Sequence, residues 1–103
     1  MSKIKIELIV KKIITLFVNR DYEAIYNLDR AKDCSPESFK ELIEDYGGTL
    51  TMPPDEALKE VEIYKIENDD LTIDFAIDFD FWVNGKRSDL TLQAIIFNSG
   101  DPT

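Results

Sequence analysis

Acidic side chains recur at alternate positions in residues 71–83, which read Leu-Thr-Ile-Asp-Phe-Ala-Ile-Asp-Phe-Asp-Phe-Trp-Val. Asp74, Asp78 and Asp80 share the even positions with Trp82, whereas every odd position is large and apolar. A period of two predicts a strand with one buried face and one solvated face. Carboxylates two residues apart lie roughly 7 Å apart on such a face, which suits a glycosidase acid pair, a hard cation or the basic groups of a partner.

The residue types favour binding over catalysis. The chain has no histidine, so catalytic triads that use histidine as the base are excluded. An exposed acid pair without a cleft stays ionised, and neither carboxyl group can then donate a proton. The single cysteine, Cys34, is interpreted as a small buried hydrophobic residue, as free cysteines usually are. We therefore expect no enzyme activity, no cofactor and no bound metal.

Charge is unevenly distributed along the chain, whose net charge is −9. Residues 1–20 hold five bases and one acid, whereas residues 21–103 hold seven bases and twenty acids. Such a surface repels phosphate backbones, so direct binding to nucleic acid is not expected. It attracts basic proteins, although acidity of this size also serves solubility alone.

Length and hydropathy predict a single domain over residues 1–98 and a flexible tail over residues 99–103. No apolar run approaches the ~20 residues that a membrane helix needs, and no signal-peptide pattern is visible. A lone thiol fits a reducing compartment. We therefore expect a cytoplasmic protein without membrane contact, and the sequence leaves a homodimer open.

The first half of the chain predicts three helices. Apolar residues from Ile6 to Phe17 recur at steps of three and four, although residues 3–10 also alternate and could instead begin as a strand. Asp21 predicts the cap of a second helix, and Ser35-Pro36-Glu37 predicts the start of a third. Gly47-Gly48 then ends the third helix.

The second half predicts antiparallel strands at residues 49–52, 61–66, 71–83 and after residue 85. The inward face of residues 61–66 is ambiguous, because Val61 and Ile63 compete with Tyr64 and Ile66. Asn84-Gly85 predicts a two-residue type I′ turn. A four-residue loop would keep the same residues on the same face. The two-residue turn sets the following pairs: Phe79 with Leu90, Ile77 with Leu92, Phe75 with Ala94 and Ile73 with Ile96.

These elements predict an α+β domain in which about three N-terminal helices pack on one face of a C-terminal antiparallel sheet of three to four strands. The opposite face is the predicted partner-binding surface, since acids and an aromatic residue lie there together. The alternatives are that Trp82 packs on Arg87 across the hairpin, or that an acidic patch on the helices binds instead. The predicted site comprises Asp74, Asp78, Asp80, Trp82 and Asp89, with Asp89 opposite Asp80. The helical patch comprises Asp21, Glu23, Glu37, Glu41 and Glu44.

Several segments resemble a family of small uncharacterised bacterial proteins. Its pattern has glycine directly before Arg-Ser-Asp-Leu-Thr-Leu, whereas Lys86 intervenes here and leaves the hairpin length open. The order of helices and then strands is similar to nuclear-transport-factor-2-like and cystatin-like folds. The resemblance rests on Arg20-Asp21-Tyr22-Glu23-Ala24-Ile25, on Tyr46-Gly47-Gly48-Thr49-Leu50 before Pro53-Pro54, and on Gly85-Lys86-Arg87-Ser88-Asp89-Leu90-Thr91-Leu92.

Small acidic proteins of this kind often accompany secreted polymorphic toxins as immunity proteins, including those of contact-dependent growth inhibition. The resemblance therefore implies a protein that neutralises a cognate toxin domain with a basic surface, a nuclease being one candidate, by covering its active site. The alternative is a small-molecule-binding or enzymatic domain that uses a pocket between helices and sheet. Candidate residues for lining that pocket are Tyr22, Tyr26, Tyr46 and Tyr64.

Overall fold

The computed structural model describes residues 2–30 and 32–97, so the predicted domain boundary at residue 98 and the tail at residues 99–103 lie outside it. The helices are α1 (Lys3–Val18), α2 (Tyr22–Leu28), α3 (Pro36–Tyr46) and a short α4 (Asp55–Leu58) that the sequence did not predict. The strands are β1 (Leu50–Thr51), β2 (Glu62–Glu67), β3 (Ile73–Val83) and β4 (Lys86–Ile96).

Polar side chains cap the three N-terminal helices. Ser2, Asp21 and Ser35 each accept a hydrogen bond from the backbone N–H three residues later, at distances of 3.1–3.2 Å. These bonds satisfy donors that have no partner within the helix. Residues 3–10 belong to α1, so the strand alternative is wrong. The apolar spacing of this segment continues for four turns, and burial of that one face favours the helix.

The sheet is antiparallel and is built around β3. β4 pairs along one edge of β3, while β1 and β2 pair with successive parts of the other edge. β1 lies opposite Trp82 and Val83, and β2 lies opposite residues 73–78. The predicted α+β class, with helices followed by a C-terminal antiparallel sheet, is confirmed.

The core forms between α1 and the inner face of β3. Phe75, Ile77, Phe79 and Phe81 are at most 5% exposed. The ring of Phe17 on α1 meets the ring of Phe81 edge to face, with the centroids 5.1 Å apart. One alternating pattern in β3 therefore fixes which sheet face the helices cover.

The inner face of β3 ends sooner than the sequence pattern predicted. Leu71 is 92% exposed and has a φ of 70°, because it belongs to the turn before β3 rather than to the strand. The predicted burial of Leu71 is therefore wrong. In β2, Ile63 pairs with Ile77 and faces the core, whereas Tyr64 pairs with Ala76 on the opposite face. This pairing resolves the ambiguity in β2.

The β3–β4 turn has the predicted two residues. Val83 pairs with Lys86, and Asn84 and Gly85 have φ values of 53° and 75°, as a type I′ turn requires. Beyond the turn, however, the predicted register is wrong. The pairs found are Phe79 with Leu92, Ile77 with Ala94 and Phe75 with Ile96.

A bulge in β4 causes this shift of two residues. Asp80 pairs with Thr91 and Trp82 with Arg87, so residues 88–90 lie opposite Phe81 alone. The Ser88 hydroxyl donates to the carbonyl oxygen of Phe81 at 2.6 Å and accepts from the Leu90 N–H at 3.2 Å. Because the shift is even, the apolar residues of β4 still face the core.

Candidate functional site

The face of β3 that points away from the core carries most of the predicted binding residues in cross-strand rows. Asp78 lies between Glu62 of β2 and Gln93 of β4. The next residue on this face, Asp80, lies beside Thr91. Trp82 follows at the hairpin end. We call this surface the outer face; its polarity comes from the even positions of the β3 pattern.

Asp78, Asp80 and Trp82 line one open depression of about 300 Å³ on the outer face. Glu60 and Glu62 contribute two further carboxylates to its walls. A single guanidinium faces these four acids, so the depression keeps an excess of negative charge. Concentrated charge of one sign raises the local concentration of oppositely charged groups.

The one base of the depression, Arg87, is held by two of the acids. Its Nε lies 3.0 Å from Asp80 Oδ2, and its Nη1 lies 3.3 Å from Glu60 Oε2. Thr91 donates its hydroxyl to the other oxygen of Asp80 at 3.0 Å. Asp80 is only 32% exposed and uses both oxygens within the protein. Trp82 and Arg87 are register partners across the hairpin. The guanidinium bonds to the two acids, and the alternative that Trp82 packs on Arg87 stays a prediction.

Glu62 and Asp78 form a pair of like charges in the same depression. They lie directly opposite each other on neighbouring strands, an arrangement that destabilises a sheet. Tyr64 donates its hydroxyl to Glu62 Oε2 at 2.5 Å. That bond, the charge of Glu62, slight burial and the more distant charge of Asp78 raise the pKa of the Tyr64 phenol. The pair therefore forms a strongly negative position suited to a cation.

Two predicted residues lie elsewhere. Asp74 is at the far end of the outer face, where it accepts a hydrogen bond from the Asn68 amide at 3.0 Å. Asp89 is in the bulge of β4 and accepts a hydrogen bond from the Tyr46 hydroxyl of α3. The predicted position of Asp89 opposite Asp80 is wrong, because the bulge puts Thr91 there.

Glu60 and Glu62 are site residues that sequence reasoning missed. The alignment of Glu62 with Asp78 depends on the turn at residues 68–71, whose geometry the residue types do not fix. The sequence indicated Arg87 only as a neighbour of Trp82. The ion pair between Arg87 and Glu60 was not predicted, because it joins residues 27 positions apart in the chain. The signal that could have indicated these two acids is the alternation of charged and apolar residues around Val61.

An apolar row crosses the outer face beside the depression. Tyr64, Ala76 and Ile95 are cross-strand neighbours, and Tyr64 and Ile95 are 51% and 52% exposed. Phe97 continues this apolar surface, with the Arg30 guanidinium 4.1 Å from its ring centroid. The outer face therefore has an acidic part and an adjacent apolar part. Protein interfaces combine groups of both kinds.

The four tyrosines proposed for an internal pocket lie at separate places. Tyr64 is on the outer face, Tyr46 bonds to Asp89, and Tyr22 packs on the core. The ring of Tyr26 contacts the Lys32 ammonium group at 4.5 Å. None of them lines the depression or the shallow concavity beside Asp74.

Residues 2–30 and 32–97 lack two features that other functions would need. No helix in these ranges has the length and apolar character to cross a membrane. These ranges also hold no group of three acidic or cysteine side chains placed to bind a metal ion.

Comparison with known proteins identifies one family. Residues 14–102 match the family described as a domain of unknown function (DUF7668). No curated protein and no solved structure matches the chain.

Proposed function

This chain belongs to the DUF7668 family, and we propose that it binds a basic protein partner through the outer face of its sheet and neutralises that partner by covering it. The observation that carries the proposal is the depression in which Asp78, Asp80 and Trp82 meet Glu60 and Glu62. From the resemblance to immunity proteins, we further propose that this partner is a toxin domain and that the two proteins meet in the cytoplasm.

The charge arrangement supports a cationic ligand group. Glu62 and Asp78 repel each other across β2 and β3, while Arg87 is engaged by Asp80 and Glu60. A lysine or arginine from a partner, placed between Glu62 and Asp78, would convert that repulsion into two charge-assisted hydrogen bonds. The partner would thus supply the positive charge that Glu62 and Asp78 lack, in addition to the hydrogen bond that Tyr64 donates to Glu62.

The apolar groups beside the acids supply the other half of an interface. Trp82 lines the depression, and Tyr64 and Ile95 expose about half of their surface next to it. Binding energy at protein interfaces is concentrated in aromatic and arginine side chains that lose water on contact. We therefore assign the anchoring role to Trp82 and the role of selecting a basic partner to Asp78 and Glu62.

The test uses the product of the adjacent gene as the partner and compares two charge reversals of equal size. Asp78→Lys changes the depression, whereas Glu41→Lys changes the competing helical patch by the same two charges. We expect Asp78→Lys to weaken affinity at least ~100-fold, mainly through faster dissociation, because it buries a repulsive contact. Glu41→Lys should slow association slightly, through the long-range field alone.

Salt dependence gives a second measurement on the same pair of proteins. Association of an acidic surface with a basic one slows as salt screens the field between them. An association rate that is unchanged between low and high salt would contradict a basic partner. An effect of Glu41→Lys equal to that of Asp78→Lys would move the site to the helices, and no binding of the adjacent gene product would refute the toxin assignment.

A further inference from the structure

The outer edge of β4 adjoins the outer face and carries features that the proposed function does not use. Within the described ranges, β4 pairs only with β3, so its other edge presents unpaired backbone groups. Near the hairpin, this edge has the features that discourage strand pairing, namely Lys86, Arg87 and the bulge. Residues 91–96, which read Thr-Leu-Gln-Ala-Ile-Ile, have no charge, no proline and no bulge.

We propose that two copies of this chain associate through antiparallel pairing of β4 with β4 around a two-fold axis at Gln93. The axis is perpendicular to the sheet, so paired residues point to the same side and the two sheets become continuous. The pairing residues lie in the uncharged, regular stretch of residues 91–96, except for Leu90, which ends the bulge and forms the outermost pair. The pairs between the copies are Leu90 with Ile96, Thr91 with Ile95, Leu92 with Ala94, and Gln93 with its own equivalent.

Charge favours this arrangement over a face-to-face dimer. Each copy carries a net charge of −9, and a face-to-face dimer would place two acidic depressions against each other. Pairing at β4 joins the two copies along an uncharged stretch instead. It also brings the basic hairpin end of one copy, at Lys86, to the same end of the dimer as the acidic turn of the other, at Asp69 and Asp70.

Partly buried apolar residues on the inner face fit the same register. Leu90, Leu92 and Ala94 pack partly against the core and remain incompletely buried. In the paired form, Leu90 and Leu92 of each copy would gain apolar neighbours across the new strand boundary. Strand pairing alone buries less than the ~1,200–2,000 Å² of a stable interface, so the dimer should dissociate readily on dilution.

This inference goes beyond the proposed function and does not depend on it, since the only ligand is a second copy. A two-fold axis perpendicular to the sheet would leave both outer faces on the same side of the dimer. Two acidic depressions would then be presented together, and failure of either proposal would leave the other standing.

Sedimentation equilibrium of the full chain at increasing concentration tests the dimer. Gln93→Lys places two like charges opposite each other at the axis and should weaken dimerisation about fivefold or more. Asn27→Lys is the matched control, because Asn27 is exposed on α2 and the charge change is the same. Both substitutions make the net charge less negative. Reduced repulsion between the copies would by itself strengthen the association of both variants.

Cross-linking tests the register. At the axis, the two Gln93 α-carbons would be about 4.5–5.5 Å apart, within disulfide range. Gln93→Cys in a Cys34→Ser background should therefore form a disulfide dimer under mild oxidation, whereas the exposed Lys65→Cys should not. A chain that stays monomeric up to about 1 mM, equal effects of Gln93→Lys and Asn27→Lys, or equal cross-linking of both cysteine variants would overturn the proposal.

Discussion

The two faces of β3 differ in what they contribute, although they alternate along the same eleven residues. The inner face is apolar and nearly fully buried, so each of its residues stabilises the fold. The outer face carries Asp78 opposite Glu62, a like-charge pair that opposes folding. A strand whose register is already set by one face can hold destabilising groups on the other.

The like-charge pair agrees with the function that we propose for the outer face. Natural proteins tend to break local stability rules at functional sites and to compensate elsewhere. Here the compensation comes from Phe75, Ile77, Phe79 and Phe81, which pack beneath the helices. The comparison predicts large losses of stability for substitutions on the inner face and only small changes on the outer face, with a gain at the like-charge pair.

The largest expected effect is on the inner face. Phe79→Ala should lower the free energy of unfolding by about 3–5 kcal/mol, because it leaves a cavity beneath the helices. Asp74→Ala, on the outer face of the same strand, should cost less than about 1 kcal/mol, since only a partly exposed hydrogen bond is lost. Chemical denaturation of both variants measures the difference, and a reversed ranking would show that the faces are assigned wrongly.

The next effect concerns the bulge that separates the hairpin end from the rest of the sheet. Ser88→Ala removes the hydroxyl that bonds to Phe81 and Leu90 and should cost about 1–2 kcal/mol. Hydrogen exchange should show faster opening near residues 81 and 90 than near residue 75. Uniform opening along the hairpin would mean that this side chain does not hold the bulge.

A smaller effect of opposite sign is expected at the like-charge pair. Asp78→Asn removes the repulsion from Glu62 and should stabilise the unbound protein by about 0.2–1 kcal/mol, while it weakens binding of the basic partner. Thermal denaturation and a binding titration of the same preparation measure the two quantities. If Asp78→Asn destabilised the unbound protein, Asp78 and Glu62 would be stabilised together by contacts other than those described above.

The smallest effect is a titration at the same place. Glu62→Gln should lower the pKa of the Tyr64 phenol towards its ordinary value, because the hydrogen bond to a carboxylate and the nearby negative charge raise it. Ultraviolet absorbance during alkaline titration reports phenol ionisation, and Tyr64→Phe identifies which transition belongs to this residue. An unchanged transition in Glu62→Gln would place Tyr64 away from Glu62.

The sequence predicted the elements well where local chemistry decides them. The alternation in β3 predicted its buried face. The ends of α3 were predicted from Ser35, Pro36 and Gly47. Asn84-Gly85 gave the turn, because few residue pairs accept positive φ at both positions.

Prediction from the sequence failed where a side chain forms a hydrogen bond with the backbone of another segment. The register of β4 depends on the Ser88 hydroxyl bound to Phe81, a contact that no local propensity indicates. The alignment of Glu62 with Asp78 depends on the turn at residues 68–71. Within it, Asp70 accepts the Thr72 N–H and hydroxyl at 3.1 Å and 2.6 Å, bonds that lower the pKa of the Asp70 carboxyl. The acidic depression is therefore a product of tertiary structure.

The outer face of the sheet is the surface that we propose for binding the partner. The most direct measurement is a structure of the complex between this chain and its basic partner. We expect partner side chains to cover Trp82 and a lysine or arginine of the partner to lie between Asp78 and Glu62. A complex in which the outer face contacts only solvent, while α2 and α3 cover the partner, would contradict the claim.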